Sequence, residues 1–138
     1  MYLIGFPLLV VTFAIYNMIA FLTPSLAWTA NVATIRLMSG QDWTVTLEDI
    51  ILACAIILLG IEVVKATRMG IRGLMDHVLS MVLFIVMLVE FLLVQRAGTS
   101  TFFILMVISL VDVLAGFIIT ARTAQRDIQI ERDVAPSA

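Results

Sequence analysis

Apolar residues in this chain gather into four long runs, separated by stretches that hold most of the polar and charged positions. A helix needs about 20 mostly apolar residues to cross a bilayer core, and each run approaches that length. The first covers 2–22 and ends at Thr23-Pro24, because proline disfavours a helical conformation in the residue before it. The second covers 47–66. Thr46 and Asp49 have the spacing of a capping box at its start, and Glu48 and Asp49 occupy the positive first turn. The third covers 78–94, opened by Asp76 and closed before Arg96-Ala97-Gly98. The fourth covers 102–121 and is entered through Thr99-Ser100-Thr101, any of which can cap it. The pattern predicts an all-α, four-helix transmembrane bundle over 1–124 and a polar tail over 125–138.

The longest non-spanning stretch, 23–46, has its own pattern. Leu26, Ala30, Ala33 and Leu37 recur at helical spacing, which predicts a short helix lying on the membrane. Trp28 and Trp43 bracket it, and tryptophan favours the headgroup layer, so both are expected as interfacial anchors. Ser25-Leu26-Ala27 has the small-x-small form of a signal cleavage site. The preceding apolar run is longer than a signal h-region and no basic residue precedes it, so it is read as a retained span.

Composition agrees with a bilayer as solvent. Apolar residues make up 62% and charged ones 13%, with a mean hydropathy of +1.14, where soluble domains average about 25% charged. A net charge of -2 argues against nucleic acid as a partner. The single cysteine, Cys54, excludes an internal disulfide and is expected as a small core hydrophobe. Eight methionines scattered along the chain suit adaptable packing. Lys65, Arg68 and Arg72 flank the second connection, and Arg122, Arg126 and Arg132 follow the fourth run. Arg36 and Arg96 fall on the opposite side. The positive-inside bias therefore predicts cytoplasmic termini, with Lys65, Arg68, Arg72, Arg122 and Arg126 as anchors.

Three runs contain a carboxylate at a depth where hydrocarbon would surround it: Glu62, Glu90 and Asp112. Such groups cost at least a few kcal/mol unless they face a partner or water. Asp112 lies close to the midplane of its run, with Glu90 roughly 6 Å to one side and Glu62 roughly 8 Å to the other at the helical rise. Ser109, Asp112, Gly116 and Thr120 form one stripe; Asp76, Ser80, Leu83, Met87 and Glu90 form another. Glu62 shares a face with Ile51, Ala55 and Leu58, while Gly5, Thr12 and Tyr16 align on the first helix beside Asn17. Two readings follow. Either these residues form a relay for protons or cations through Glu90, Asp112 and Glu62 to Asp76 and His77, or each is satisfied locally. Locally, Glu62 can pair with Lys65 one turn away, and Glu90 can reach towards the headgroups near Arg96. Asp76 and His77 then mark an interfacial helix start. Asp112 has no cationic neighbour in sequence, so its expected partners are Ser109, Thr12, Tyr16 or Asn17.

Several chemistries are excluded. His77 is the single histidine, so no histidine pair can ligate haem. Arg122 and Arg126 lie beyond the span, which rules out a voltage sensor. No nucleotide loop, zinc motif or nucleophile–base pair is present, so neither an enzyme nor a cofactor or metal site is expected.

Other stretches resemble a family of small four-helix inner-membrane proteins of alphaproteobacteria that carry no assigned activity. The residues that carry the resemblance are Ile15-Tyr16-Asn17-Met18, Asp42-Trp43-Thr44-Val45-Thr46 and Asp76-His77-Val78-Leu79-Ser80-Met81. Glu90-Phe91-Leu92-Leu93, Gly98-Thr99-Ser100-Thr101-Phe102-Phe103 and Ser109-Leu110-Val111-Asp112 also fit. The likeness implies a multi-pass protein of the bacterial inner membrane and brings no mechanism. The layout is also similar to phosphate-starvation-inducible membrane proteins. Small multidrug transporters share the size, but rely on a carboxylate in the first helix, which this chain lacks. The leading functional expectation is an accessory or scaffold protein packing against itself or within a larger membrane complex. A small proton- or cation-coupled transporter is the alternative, and a membrane-state sensor the third reading.

Overall fold

Because every backbone polar group must be satisfied inside a bilayer, a chain this apolar is driven towards helix. A computed structural model describes residues 6–68 and 72–134, apart from the side chains of Arg72, Thr123 and Asp127. It is 76% helical. In chain order the elements are α1 (Leu9–Leu22), β1 (Asn31–Arg36), β2 (Asp42–Thr46), α2 (Leu47–Arg68) and α3 (Arg72–Leu93), then a 3₁₀ turn (Gln95–Ala97) and α4 (Ser100–Val134). The helices α2, α3 and α4 are each long and apolar enough to cross a membrane. Helix α1, with 14 residues, measures roughly 21 Å and falls short of the core thickness on its own. The part of the first expected span over 2–5, and the tail over 135–138, lie outside the described residues.

Local signals place most boundaries. The capping box forms as a reciprocal pair, with Thr46 N donating to Asp49 Oδ2 at 2.9 Å and Asp49 N donating to Thr46 Oγ1 at 3.4 Å. At the start of α4, Thr99 is the cap: Phe102 N donates to its hydroxyl at 3.2 Å and Phe103 N to its carbonyl at 3.0 Å. Helix α3 begins six residues before the expected start, so Asp76 lies in its second turn and marks no helix end. Helix α4 continues without a break past 121 to Val134, carrying the polar tail as helix.

The stretch expected as a surface helix is instead an antiparallel β-hairpin, paired from Ala33 with Val45 to Arg36 with Asp42. The helical spacing of Leu26, Ala30, Ala33 and Leu37 loses to β-branched Val32, Thr34, Ile35, Thr44, Val45 and Thr46, which favour a pleated backbone. The turn decides it. Gly40 N donates to Leu37 O, Leu37 N donates to Gln41 O, both at 2.9 Å, and Gly40 takes φ 86°, the left-handed position such turns reserve for glycine. The hairpin projects from the start of α2: every residue of β1 is exposed, and of β2 only Val45 and Thr46, next to α2, are half-buried.

Inside, α4 packs along both α2 and α3. The core comprises Leu9 and Tyr16 from α1, Ile51 and Ala55 from α2, Leu83 and Met87 from α3, and Phe102, Leu105 and Ile108 from α4. The outward faces are large apolar side chains such as Ile57, Ile85, Leu92, Leu114 and Phe117, all more than half exposed. That is an inverted surface suited to acyl chains. Cys54 belongs to this outward face and is exposed, contrary to its expected place in the core.

Candidate functional site

The polar residues that the four helices turn inward meet in two separate clusters rather than one chain. The first lies at the end carrying the α2–α3 connection. Glu62, on α2 and 4% exposed, accepts the Leu8 backbone N–H at 2.6 Å and the Lys65 ammonium at 3.1 Å. Pro7 supplies no N–H, and the first backbone donors of α1 have no intrahelical acceptor. Glu62 therefore caps α1 from a neighbouring helix. Lys65 also donates to Phe6 O at 3.0 Å and lies 3.3 Å from Asp76 Oδ2, tying α3 to the same point. With its side chain 15% exposed, Lys65 bridges these groups from a half-buried position. Arg68, Arg122 and Arg126 are exposed, whereas the side chain of Arg72 lies outside the described residues.

Asp112, 7% exposed, joins this cluster from α4. The Ser80 hydroxyl bonds to it, and it faces Glu62, Asp76 and Lys65. None of its expected partners holds it. Thr12 donates to Leu9 O at 2.9 Å, Tyr16 and Asn17 are engaged at the other end of the bundle, and the Ser109 hydroxyl has no hydrogen-bond partner among the described residues. Asp112 Oδ2, Asp76 Oδ1 and His77 Nδ1 are likewise buried without one. His77 packs against the backbone of α4, where a Cβ on Gly116 would sit 2.8 Å from Nδ1. The stripe Ser109, Asp112 and Gly116 is thus the inward face of α4, as its spacing predicts.

The second cluster closes the opposite end. The Tyr16 hydroxyl lies 2.6 Å from Thr99 Oγ1 and donates to Arg96 O at 3.1 Å, and its ring stacks on Trp28 at 4.4 Å with planes 4° apart. Trp28 is therefore a packing residue, half-buried against the bundle; Trp43, on the hairpin, is 48% exposed. Arg96 donates to Ala20 O at 3.1 Å and Phe21 O at 3.5 Å, covering the carbonyl end of α1, and lies over the Phe21 ring. Asn17 Nδ2 donates to Glu90 at 3.4 Å, and no ion pair joins Glu90 to Arg96 among the described residues. Thr101 donates to Glu48 at 2.9 Å, joining α4 to the start of α2.

Between the clusters the bundle is mostly apolar, with the Thr12 hydroxyl turned onto Leu9 O of its own helix. Ser80 and Glu90 are separated along α3 by roughly 15 Å of helix, and the inward positions between them are Leu83 and Met87, 6% and 2% exposed. Ile51, Ala55, Leu105 and Ile108 complete the layer from α2 and α4. Glu90 thus stands apart from Glu62, Asp112, Asp76 and His77, the groups that the relay reading would join to it. A groove of about 370 Å³ on the outer face of α2 is lined by Ile57, Gly60, Ile61, Val64, Lys65 and Arg68, without Asp112. No group of three or more His, Cys, Asp or Glu side chains converges as a metal-ligand set among the described residues.

Sequence reasoning missed Ser80 as the partner of Asp112, Lys65 as the hub, and the cross-helix capping of α1 at both ends. Ser80 had a visible signal, since it lies one turn from Asp76 on the same face. The capping contacts had none, because backbone N–H and carbonyl groups leave no trace in a sequence. Comparison with protein-family models, curated proteins and solved structures finds no match.

Proposed function

We propose that this chain is an integral membrane accessory or scaffold protein, acting through the contacts it makes and not through transport or catalysis. The observation that carries the reading is the apolar layer of Leu83, Met87, Leu105 and Ile108 between the two polar clusters. Protons and cations cross a membrane along polar or wet paths, and a bundle filled by its own side chains leaves a substrate little room. Both clusters also have structural work: each holds one end of α1, a helix too short to be stable alone. The basic residues around the α2–α3 connection and after the fourth span support cytoplasmic termini. The resemblance described above supports a place in a bacterial inner membrane, with lipid, a second copy or a larger complex as partner.

Reconstitution into vesicles under a pH gradient, with a dye reporting the lumen, tests this. The reading predicts a proton flux no greater than that of protein-free vesicles. A flux above that background which Asp112→Asn abolishes would replace it with the transporter reading, which the unpartnered Asp112 Oδ2 favours.

A further inference from the structure

The cluster around Asp112 is short of positive charge. Glu62, Asp76 and Asp112 supply three carboxylates, and Lys65 is the ammonium within reach. Lys65 is already shared, at 3.1 Å from Glu62 and 3.3 Å from Asp76. Asp112 is left with one hydroxyl, from Ser80. Its second oxygen, Oδ2, is buried with no partner among the described residues. The Ser109 hydroxyl, one turn away on the same inward face and 1% exposed, is also unpartnered. Native structures rarely leave such atoms empty-handed, and an isolated ionised carboxylate in a low-dielectric interior takes up a counter-charge or a proton.

A metal ion fits poorly, because no set of three or more ligating side chains converges there among the described residues. A proton needs only one free oxygen. We propose that Asp112 carries an exchangeable proton on Oδ2, taken up from the end of the bundle that holds the α2–α3 connection. The carboxylate gains an O–H bond, the donating hydronium returns to water, and the cluster loses one negative charge. Facing Asp112 are Glu62 and Lys65 from α2 and Asp76 and Ser80 from α3. His77 lies at Gly116, one turn further along α4. The one titratable side chain of α1, Tyr16, is engaged at the far end. Access is one-sided. Lys65 and His77 are partly exposed at the near end, while Leu83 and Met87 close the far side. The site therefore binds and releases protons without passing them across, which goes beyond the scaffold reading and does not rest on it.

Infrared spectroscopy of the full chain in phosphatidylcholine vesicles tests the assignment. A protonated carboxyl in an apolar site gives a carbonyl band distinct from that of a carboxylate. The expected result is a band that disappears reversibly as pH rises, shifts in deuterium oxide and is absent from Asp112→Asn. Ser80→Ala, which removes the hydroxyl beside that carboxyl, should change the pH at which the band disappears. This second variant keeps the test decisive if Asp112→Asn does not fold. Three outcomes overturn the proposal: a titrating band that neither variant alters, no such band in the native chain, or a band that never exchanges. Replacing potassium by sodium at constant pH should leave the band unchanged; its loss would assign the site to a metal ion instead. A proton flux with the band intact would overturn the scaffold reading and leave the proton on Asp112.

Discussion

Glu62 was legible in the sequence as half of an ion pair with Lys65, from their spacing of one helical turn. What the spacing did not reveal is that the same oxygen receives the Leu8 N–H from another helix. Its loss therefore strips a half-buried cation of its partner and uncaps α1 together. Glu62→Ala should lower the free energy of unfolding by about 3 kcal/mol, the scale for breaking a buried pair. Glu62→Gln keeps a carbonyl acceptor for Leu8 and should cost less. Denaturation in mixed micelles by increasing sodium dodecyl sulfate, followed by circular dichroism, gives both values; equal costs would remove the capping role. Tyr16 shows the opposite balance. Its hydroxyl makes neutral hydrogen bonds to Thr99 and Arg96 O, while its ring, 0% exposed, stacks on Trp28. Tyr16→Phe should cost about 1 kcal/mol, and Tyr16→Ala at least about 3 kcal/mol, by the same titration. Similar losses would mean that the hydroxyl and not the ring holds that end together.

At the scale of elements, the long helices could be read from hydropathy because a bilayer demands about 20 apolar residues and tolerates few interruptions. The hairpin could not be read from hydropathy, since its residues are set by turn chemistry and β-branching while its apolar side chains happen to recur at helical spacing. Ser39-Gly40 was the available signal. Gly40→Val should destabilise the hairpin by about 1–2 kcal/mol, the cost of a left-handed backbone for a side-chain-bearing residue. The amide infrared signal of the strands should fall while the helical signal stays. A helical signal that falls with it would show that the hairpin and the bundle fold as one unit. Contact between α3 and α4 hinges on a different glycine. A methyl group at Gly116 would meet His77 Nδ1 at 2.8 Å, so Gly116→Ala should cost about 1–3 kcal/mol through overpacking. His77→Ala in the same chain should restore most of that loss. A double-mutant cycle without coupling would place His77 elsewhere.

For the whole molecule, the inward stripes identified from helical spacing are the faces that meet: Ser109 and Asp112 on α4, Asp76 and Ser80 on α3, Thr12 and Tyr16 on α1, and Glu62 on α2 are all buried. What spacing along single helices does not give is how the helices align lengthwise, and that alignment separates Glu90 from Asp112. Sequence alone therefore allowed a continuous relay where the assembled bundle has two polar ends and an apolar middle. Cysteine accessibility tests that arrangement most directly. In a Cys54→Ala background within sealed vesicles, single cysteines at Leu83 and Met87 are exposed in turn to a membrane-impermeant maleimide from each side. The account predicts no labelling at either position from either side, with labelling only after the bundle is unfolded in detergent. Labelling of either cysteine in the folded protein would mean that water reaches the middle of the bundle, and would contradict it.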